Sequence, residues 1–443
     1  MKHTFKRAMI ELQAVRKQDF HILCRVKMSD FTRKRKLPLK ELVLSVVARK
    51  GKTLVMELKG FFKQLGKKDE VISKAGYSKQ RQKLNPHALK HLADLRASNF
   101  YKDTTMVKRL RGYIVLASDG SGINLPNSKE TIDTYGSSSR KGTKPQAQLG
   151  LGCMFDVINK MVVGTTINRV KFNERQCAIE QMEYAEELIG SKKVIYLFDR
   201  GYISGEMFLD LNERNTKYLI RVGVSNFKAE QATMNSSDEK VTIKFTKERV
   251  NAHRIKGNTK TADKLASAGS VEVRFVQITL DNGEIECFAT NLTEDEFDAG
   301  DIKYLYHLRW EIETAFDFLK NRLHIENFTG TKPIIIEQDI YAAIYLSNII
   351  QDMCMEAQME FDQTSEGIYK HRMAINKNIA AGALKEAIIE FVIIRNLRKK
   401  QILFEEILDF IQTNIIPIRE ERKYERTKGR LAGKYSNVNK KSY

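Results

Sequence analysis

Two apolar runs that each end in an aspartate constrain the fold of this chain most strongly. Residues 112–120 read GYIVLASDG and residues 193–201 read KVIYLFDRG, so Asp119 and Asp199 both follow a mainly apolar stretch. Continuous runs of this kind are typical of central strands that are buried on both faces of a sheet. Such a strand would deliver its acid to the carboxyl edge of the sheet. A plain turn residue is the alternative for each aspartate, since Asp-Gly is frequent in turns.

The segments around these runs alternate between strand and helix patterns. Residues 148–158 and 161–168 predict two strands joined by a tight turn. Residues 173–190 predict a capped helix, 205–214 a second helix, and 218–222 a further strand. This order predicts an α/β fold in which helices pack against a mixed sheet.

Composition and periodicity divide the chain into five segments. The interpretation of 224–287 as a β-rich insertion rests on alternating strands such as VEVRFVQITL between polar loops. The five segments are a helical basic region at 1–105, the first part of the α/β core at 106–223, the insertion at 224–287, the second part of the core at 288–360, and a helical C-terminal region with a basic tail at 361–443.

The positive charge lies at the two ends of the chain. The net charge is +20, and residues 1–100 hold 25 Lys and Arg against 8 Asp and Glu, while residues 391–443 hold 13 against 6. Basic ends around a slightly acidic centre indicate a polyanion held by the flanks, although a merely soluble basic protein is the alternative. Short helices carrying Lys79, Arg81 and Lys83 fit either a helix-turn-helix variant or a charged solvated face.

The sequence gives no indication of export or of a membrane span. The first residues, MKHTFKRAMIELQ, lack an apolar signal core, and no run approaches the roughly 18 apolar residues that a membrane helix needs. The five cysteines are odd in number and scattered, which favours a reducing compartment and argues against zinc. We therefore expect a cytoplasmic protein.

A third stretch, YLYHLRWEIETAFDFLK at residues 304–320, contains no Pro or Gly and predicts one helix. At about 100° per residue, Tyr306, Arg309, Glu313 and Lys320 share one narrow stripe beside an apolar stripe that can be buried. A carboxylate flanked by Arg, Lys and a phenol suits a site that binds a metal ion and phosphate oxygens together. A solvated face with helix ion pairs fits the same pattern.

Asp119, Asp199 and Glu313 would converge if the two aspartate strands are neighbours and the helix packs across them. Ligands that are all oxygen select Mg²⁺ or Mn²⁺ over zinc. Two such ions about 3.5 to 4 Å apart can activate an attacking oxygen and stabilise the leaving oxygen in phosphodiester chemistry. The basic flanks would then hold the nucleic acid.

Taken together, these motifs resemble the bacterial DDE insertion-sequence transposases of the insertion-sequence-four type. The resemblance covers about residues 105–357 and includes the predicted strand insertion between the second aspartate and the glutamate. The matching motifs are Tyr306-x2-Arg309-x3-Glu313-x6-Lys320, which fits the family's Tyr-Arg-Glu-Lys signature in full, and the aspartate motifs DGS from Asp119 and DRGY from Asp199.

The resemblance implies a ribonuclease-H-like core that binds two Mg²⁺ ions, for which Mn²⁺ may substitute. It implies nicking by water at the transposon ends, attack of the freed 3′ hydroxyl on target DNA, a homodimer on paired ends, and association with the bacterial nucleoid. The implied metal ligands are Asp119, Asp199 and Glu313, and the implied contacts to transposon DNA are Tyr306, Arg309 and Lys320.

The chain departs from the family at one point. Family members that cut through a DNA hairpin flip a base onto a Trp in the insertion, whereas the one Trp here is Trp310, directly after Arg309. Trp310 could stack on a base, as a DNA-binding residue, or pack against the sheet. Two other functions fit the same motifs: a non-catalytic DNA-binding regulator derived from a transposase, and a metal-dependent nuclease without strand transfer.

Overall fold

The computed structural model describes residues 2–33, 35–139, 144–223, 225–280, 283–365 and 368–418. The basic tail predicted at the end of the chain lies outside these residues. The chain divides into two compact units: unit 1 is Met1–Met106, Gly122–Leu149 and Phe316–Tyr443, and unit 2 is Val107–Ser121 and Gly150–Ala315.

Helices and strands alternate through the middle of the chain, and helices dominate its ends. The helices are α1 His3–Ala14, α2 Gln18–Leu23, α3 Leu39–Val47, α4 Leu54–Gln64, α5 Lys74–Arg81, α6 His87–Tyr101, α7 Lys129–Tyr135, α8 Glu174–Ile189, α9 Gly205–Glu213, α10 Lys228–Ala232, α11 Lys247–Ile255, α12 Thr259–Ala268, α13 Ala299–His307, α14 Trp310–Asp317, α15 Pro333–Thr364, α16 Lys377–Ile393 and α17 Leu397–Thr413. The strands are β1 Ile114–Asn124, β2 Ser137–Ser138, β3 Gln146–Asp156, β4 Val162–Arg169, β5 Val194–Phe198, β6 Lys217–Val222, β7 Asp238–Lys244, β8 Ser270–Thr279, β9 Ile285–Thr290, β10 Met373–Ile375 and β11 Ile415–Pro417.

Unit 2 is built on a mixed sheet with the strand order β3-β1-β5-β6-β9-β8-β7, and β4 pairs with β3. Strands β1, β5 and β6 are parallel neighbours. From β6 to β7 every neighbouring pair is antiparallel. The mixed α/β fold expected from the sequence is therefore confirmed.

The two strands that carry the aspartates are direct neighbours, as the sequence analysis required. The register pairs Ile114 with Val194 and Ala117 with Leu197, so Asp119 and Asp199 each lie two residues beyond the last of these pairs. Parallel neighbours are about 4.8 Å apart. The register therefore places the two acids side by side.

Asp199 directly follows β5, but Asp119 lies inside β1, which continues to Asn124. The expectation that Asp119 ends its strand is wrong. The reason is that β1 neighbours β3 on its other side, and this pairing persists, with the Leu125 amide donating to the Ala147 carbonyl at 2.8 Å. The first, continuously buried part of β1 does end just before Asp119, at Ser118, and Ile123 is buried again further along the strand.

The β-rich character predicted for residues 224–287 is not confirmed. This segment contains α10, α11 and α12 as well as β7 and β8, and its strands extend the sheet beyond β9. Helices α11 and α12 read KERVNAHRI and TKTADKLASA. Because these sequences are strongly polar, they resemble loops when only the apolar pattern is considered.

The prediction of one continuous helix over residues 304–320 is wrong. Helix α13 ends at His307 and α14 begins at Trp310, followed by a π-helical turn over Phe318–Arg322. At the break the Arg309 amide donates to the Tyr306 carbonyl at 3.0 Å, a bond that spans three residues rather than four. No Gly or Pro marks this change, so helical periodicity alone could not reveal it.

Unit 1 is organised around α15, a helix of 32 residues that starts with a proline. Helices α1, α3, α6, α16 and α17 pack against it. Within the described residues, none of the helices combines the length and hydropathy that a membrane span needs.

Buried ion pairs join α1 and α6 to α15 in unit 1. Asp352 is fully buried and accepts hydrogen bonds from Arg7 Nε at 2.7 Å and from Arg96 Nη1 at 2.9 Å. Arg96 Nη2 also donates to Glu11 at 2.8 Å, and Glu11 accepts from the Tyr345 hydroxyl at 2.6 Å. Some of the N-terminal basic residues therefore stabilise the helical unit itself.

Arg81 is also buried, with none of its surface exposed. Its Nη2 donates to Asp339 at 2.9 Å and its Nε donates to Gln338 at 2.7 Å, both on α15. Arg81 therefore fits neither a DNA-contacting helix-turn-helix residue nor a charged solvated face, because an acid on α15 binds its buried guanidinium. Lys79 remains exposed on α5.

Asp339 is expected to make unit 1 sensitive to acid. Although burial favours the neutral acid, the charges of Arg49 and Arg81 and the hydrogen bonds from Thr329 outweigh it and hold the pKa of Asp339 below its usual value. A lowered pKa in the folded state stabilises the protein above the unfolded pKa of about 3.9, and this stability is lost as the pH falls through the folded pKa.

Asp339→Asn is expected to lower the free energy of unfolding at pH 7. The difference in unfolding free energy between variant and wild type is expected to shrink below about pH 4. Urea unfolding at pH 7, 5 and 3.5 measures this difference. A difference that stays constant over the three pH values would contradict the assignment.

Candidate active site

Each of the two adjacent aspartates is bound by a backbone amide of its own motif. Asp119 Oδ1 accepts from the Gly120 amide at 2.8 Å, and Asp199 Oδ1 accepts from the Gly201 amide at 2.7 Å. A Cβ at Gly201 would lie 3.0 Å from Asp199 Oδ1, which is closer than side chains normally approach. Gly201 therefore allows the backbone to approach the Asp199 carboxylate closely.

The surroundings of the Asp119 carboxylate disfavour its charged form. Burial raises its pKa to about 6, against the lowering effects of the Gly120 hydrogen bond and the Arg309 charge. The charges of Asp199 and Glu174 raise the pKa further. A carboxylate that is desolvated beside other carboxylates is stabilised by a nearby cation.

Tyr202 of the DRGY motif stabilises the strand ends from inside the core. It is 2% exposed, and its ring centroid lies 5.1 Å from that of Phe198, the last residue of β5. Its hydroxyl is hydrogen-bonded to the side chain of Ser118, the residue before Asp119. Tyr202 thus connects the backbones that carry the two aspartates.

Arg309 interacts with three other residues that the sequence predicts for the site. It is 7% exposed, and its Nη2 donates to Glu313 Oε1 at 2.7 Å. Its guanidinium carbon lies 5.8 Å from the Tyr306 ring centroid and 5.5 Å from the Trp310 ring centroid. Its charge also acts on Asp119.

Glu313 is partly exposed, with its carboxylate in the ion pair to Arg309. In the part of the chain that the structure describes, no three Asp, Glu, His or Cys side chains are arranged closely enough to hold a metal ion. The set of Asp119, Asp199 and Glu313 as metal ligands stays a prediction.

Lys320 belongs to unit 1, whereas the other signature residues belong to unit 2. Its Nζ donates to the carbonyl oxygen of Gly122, in the same unit, at 2.9 Å. Its contact with DNA stays a prediction.

The sequence analysis missed one carboxylate at this site, that of Glu174 in the first turn of α8. The charge of Glu174 acts on Asp119, and the charge of Asp199 acts on Glu174. The sequence did contain a signal for the placement of Glu174, because a helix predicted after a pair of strands must run back along the sheet. The pattern did not specify which end of that helix would meet the aspartates.

The donors at this site suit a hard divalent cation. They are carboxylate oxygens, which Mg²⁺ and Mn²⁺ prefer, without cysteine or histidine ligands in the motif set. A cation would also offset the burial and the like charges that raise the pKa of Asp119. The type of donor therefore suits the ion that the sequence predicts, and its binding stays a prediction.

Comparison with known proteins finds similarity to transposases. The chain matches the family model described as "Transposase DDE domain" over residues 110–349. It is 28% identical over 144 residues to the "Putative transposase InsL for insertion sequence element IS186A" of Escherichia coli K12, a match that spans 32% of this chain and 34% of that relative. The chain thus matches only about a third of the length of this relative.

Two further similarities extend over more of the chain. The "Transposase InsG for insertion sequence element IS4" of Escherichia coli K12 is 20% identical over 333 residues, 72% of this chain and 70% of that protein. Among solved structures, a piggyBac transposase synaptic complex with hairpin DNA is 8% identical with a TM-score of 0.43, covering 94% of this chain and 83% of that chain.

Proposed function

The chain belongs to the transposase DDE domain family, and from this premise we propose that it is a DNA transposase of the insertion-sequence-four type. It would cut the ends of an insertion sequence and join them to target DNA. Its core would be ribonuclease-H-like and assembled from residues 106–223 and 288–360, and it would act as a homodimer on paired ends.

One observation carries this proposal: Asp119 and Asp199 each lie two residues beyond the last register pair of the parallel neighbours β1 and β5, with the charge of Arg309 acting on Asp119. An ordinary turn aspartate would not require the charges of a second acid and of a buried arginine to act on it. Arg309 in turn binds Glu313 at the spacing of the signature. The carboxylates supply the negative charge that a metal ion requires, and Arg309 supplies the positive charge that a phosphate requires.

The residues have distinct roles in the proposed reaction. Asp119, Asp199 and Glu313 would hold Mg²⁺, which when bound would supply charge stabilisation for an attacking water or 3′ hydroxyl and for the leaving oxygen. Arg309 would release part of its interaction with Glu313 and bind a phosphate of the transposon end. Tyr306 and Trp310 flank that guanidinium and limit its movement.

Residues 1–105 would grip duplex DNA through exposed basic residues. Arg33, Arg35 and Lys40 are exposed and line a cavity of about 570 Å³ together with Lys83 of the α5–α6 connection. Basic side chains on an open groove bind the phosphate backbone without reading sequence. The buried arginines of the same region are already engaged within unit 1.

The proposal is tested with linear DNA that carries the terminal repeats from the flanks of the reading frame. Incubation with Mg²⁺ is expected to nick the DNA at the repeat ends, and EDTA is expected to abolish nicking. A pre-cut end mixed with plasmid DNA is expected to be joined to it.

The outcomes separate the proposal from the two other functions. Nicking without any joining of the pre-cut end would indicate a nuclease. Binding of the repeats with no nicking at any Mg²⁺ concentration would indicate a regulator. Either result would overturn the transposase assignment.

Arg309→Ala is expected to lower the rate of joining about tenfold, because the guanidinium can bind a phosphate through two parallel hydrogen bonds. The control is Arg249→Ala. Arg249 pairs with Glu230 at 2.6 Å and lies 5.7 Å from the Phe227 ring centroid, so it resembles Arg309 in its contacts. Equal joining rates for both variants would contradict the role of Arg309.

A further inference from the structure

The basic cavity of residues 1–105 has the size of a small-ligand site. Its volume is about 570 Å³, within the roughly 300–1,000 Å³ that ligand pockets enclose. The connection between α2 and α3, the first turn of α3 and the end of α5 form its walls. Contacts to the phosphates of a duplex need a row of cations but no recess of this volume.

The free charge of this cavity is positive, because its two acids are already engaged. Asp30 Oδ2 accepts from the Lys27 amide at 2.9 Å. Glu41 pairs with Lys67 at 2.6 Å. Four cations of the wall have no carboxylate partner among the described residues: Arg33, Arg35, Lys40 and Lys83. The cavity therefore suits a ligand that carries phosphate groups.

Phe31 places an aromatic residue in the same wall. It is half-buried, and in the described part of the chain no other aromatic ring packs against it. Its φ is 58°, a left-handed conformation that is unfavourable for a bulky side chain. The turn before it is held by the Asp30 amide, which donates to the Lys27 carbonyl at 2.8 Å. Unfavourable conformations that surrounding contacts maintain are concentrated at ligand sites.

Two polar atoms of the lining residues lack a hydrogen-bond partner within the described ranges. They are His21 Nε2 and Glu41 Oε2. Buried polar atoms are normally hydrogen-bonded, so a bound molecule that offers partners would be favoured here. The edge of a nucleobase carries both donors and acceptors, and they are free in an unpaired base. The cations, the aromatic residue and these polar atoms together match the parts of a nucleotide.

From these observations we propose that the cavity binds an unpaired nucleotide of single-stranded DNA. The base stacks on Phe31, and the flanking phosphates bind Arg33, Arg35 and Lys40. A base inside a duplex is covered on both faces by its neighbours, so only an unpaired base can present a face to the ring. The inference rests on the proposed function, since the strand is one that separates from its complement at a transposon end.

Fluorescence anisotropy with the full-length protein and two labelled probes tests this inference. The probes are an oligothymidylate of about 12 nucleotides, a length within the site sizes of single-strand binding domains, and its duplex with oligodeoxyadenylate. Phe31→Ala is expected to weaken binding of the single strand about tenfold, because the stacking of one base is lost. Its affinity for the duplex is expected to stay within about twofold of the wild type, because the phosphate contacts remain.

Three further variants separate stacking from charge and from folding. Phe31→Trp is expected to keep single-strand binding, since an indole ring also stacks on a base. Lys40→Ala is expected to weaken both probes, because both carry the phosphates that the cation binds. The matched control is Met28→Ala, expected to change neither affinity, because Met28 lies on the same connection, is 70% exposed and does not line the cavity.

The inference would be overturned by equal losses for both probes in Phe31→Ala, by no loss for either, or by failure of the wild type to bind the single strand. A loss in Phe31→Trp as large as that in Phe31→Ala would also overturn it. If the wild type nicks the terminal repeats while Phe31→Ala binds the single strand normally, the proposed function stands and only this inference fails. A selective loss in Phe31→Ala without any nicking by the wild type would leave the single-strand site standing and overturn the catalytic assignment.

Discussion

Asp199→Asn is expected to lower the rate of Mg²⁺-dependent nicking at the terminal repeats by about a thousandfold or more, equivalent to roughly 4 kcal/mol in the activation barrier. The amide keeps the size of the side chain but removes the negative charge that a divalent cation requires. Asp119→Asn and Glu313→Gln are expected to act in the same way. Nicking is measured on labelled DNA ends under single-turnover conditions, and DNA binding is measured in parallel.

Measuring DNA binding beside nicking separates a loss of catalysis from a loss of folding. Binding of the repeats is expected to persist in all three variants, because the basic groove lies in residues 1–105. The matched control is Asp210→Asn on α9, where Asp210 pairs with Lys264 at 2.5 Å away from the aspartate motifs. Nicking by Asp199→Asn at the rate of Asp210→Asn would refute the assignment of Asp199.

Asp352→Ala is expected to lower the free energy of unfolding by about 3–5 kcal/mol. The substitution leaves two buried arginines, Arg7 and Arg96, without the carboxylate that binds both. Removing one partner of a buried ion pair is strongly destabilising, whereas an exposed ion pair contributes only about 0–1 kcal/mol.

Urea unfolding followed by circular dichroism measures this loss. The control is Glu130→Ala, which removes a surface pair to Lys332 in the same unit, where both side chains are nearly half exposed. We expect the control to change stability by less than about 1 kcal/mol. Equal effects of the two substitutions would show that the buried network does not stabilise unit 1.

The parts of the fold that the sequence predicted well are those with local signals. The strands before Asp119 and Asp199 were recognisable because parallel strands buried on both faces require an unbroken apolar run. Helix α8 was predicted from its cap at Asn173 and its stop at Gly190, which adopts the left-handed conformation with φ of 68°. Such signals need no knowledge of distant contacts.

The parts that the sequence did not predict depend on distant contacts or on changes in helical geometry. Glu174 lies near Gly120 because Phe172 packs over Gly120 and Gly150, three positions on separate elements. The break before Trp310 arises from tighter hydrogen bonds that no residue type marks.

Charge counts could not distinguish surface from interior. Arg7, Arg81 and Arg96 contribute to the basic N-terminal region, yet each is at most 3% exposed and paired with an acid on α15. The acids that bind them lie more than 240 residues away in the sequence, so only the structure shows the pairing. The exposed residues Arg33 and Arg35 are the better candidates for DNA contact.

The metal dependence of Asp199→Cys tests most directly whether the adjacent aspartates hold a divalent cation. A thiolate is a soft ligand that suits Mg²⁺ poorly and Mn²⁺ better. We predict that Asp199→Cys and Asp119→Cys are inactive in nicking with Mg²⁺ and regain activity when Mn²⁺ replaces it. Wild-type activity of both variants with Mg²⁺, or no recovery of either with Mn²⁺, would contradict the central claim.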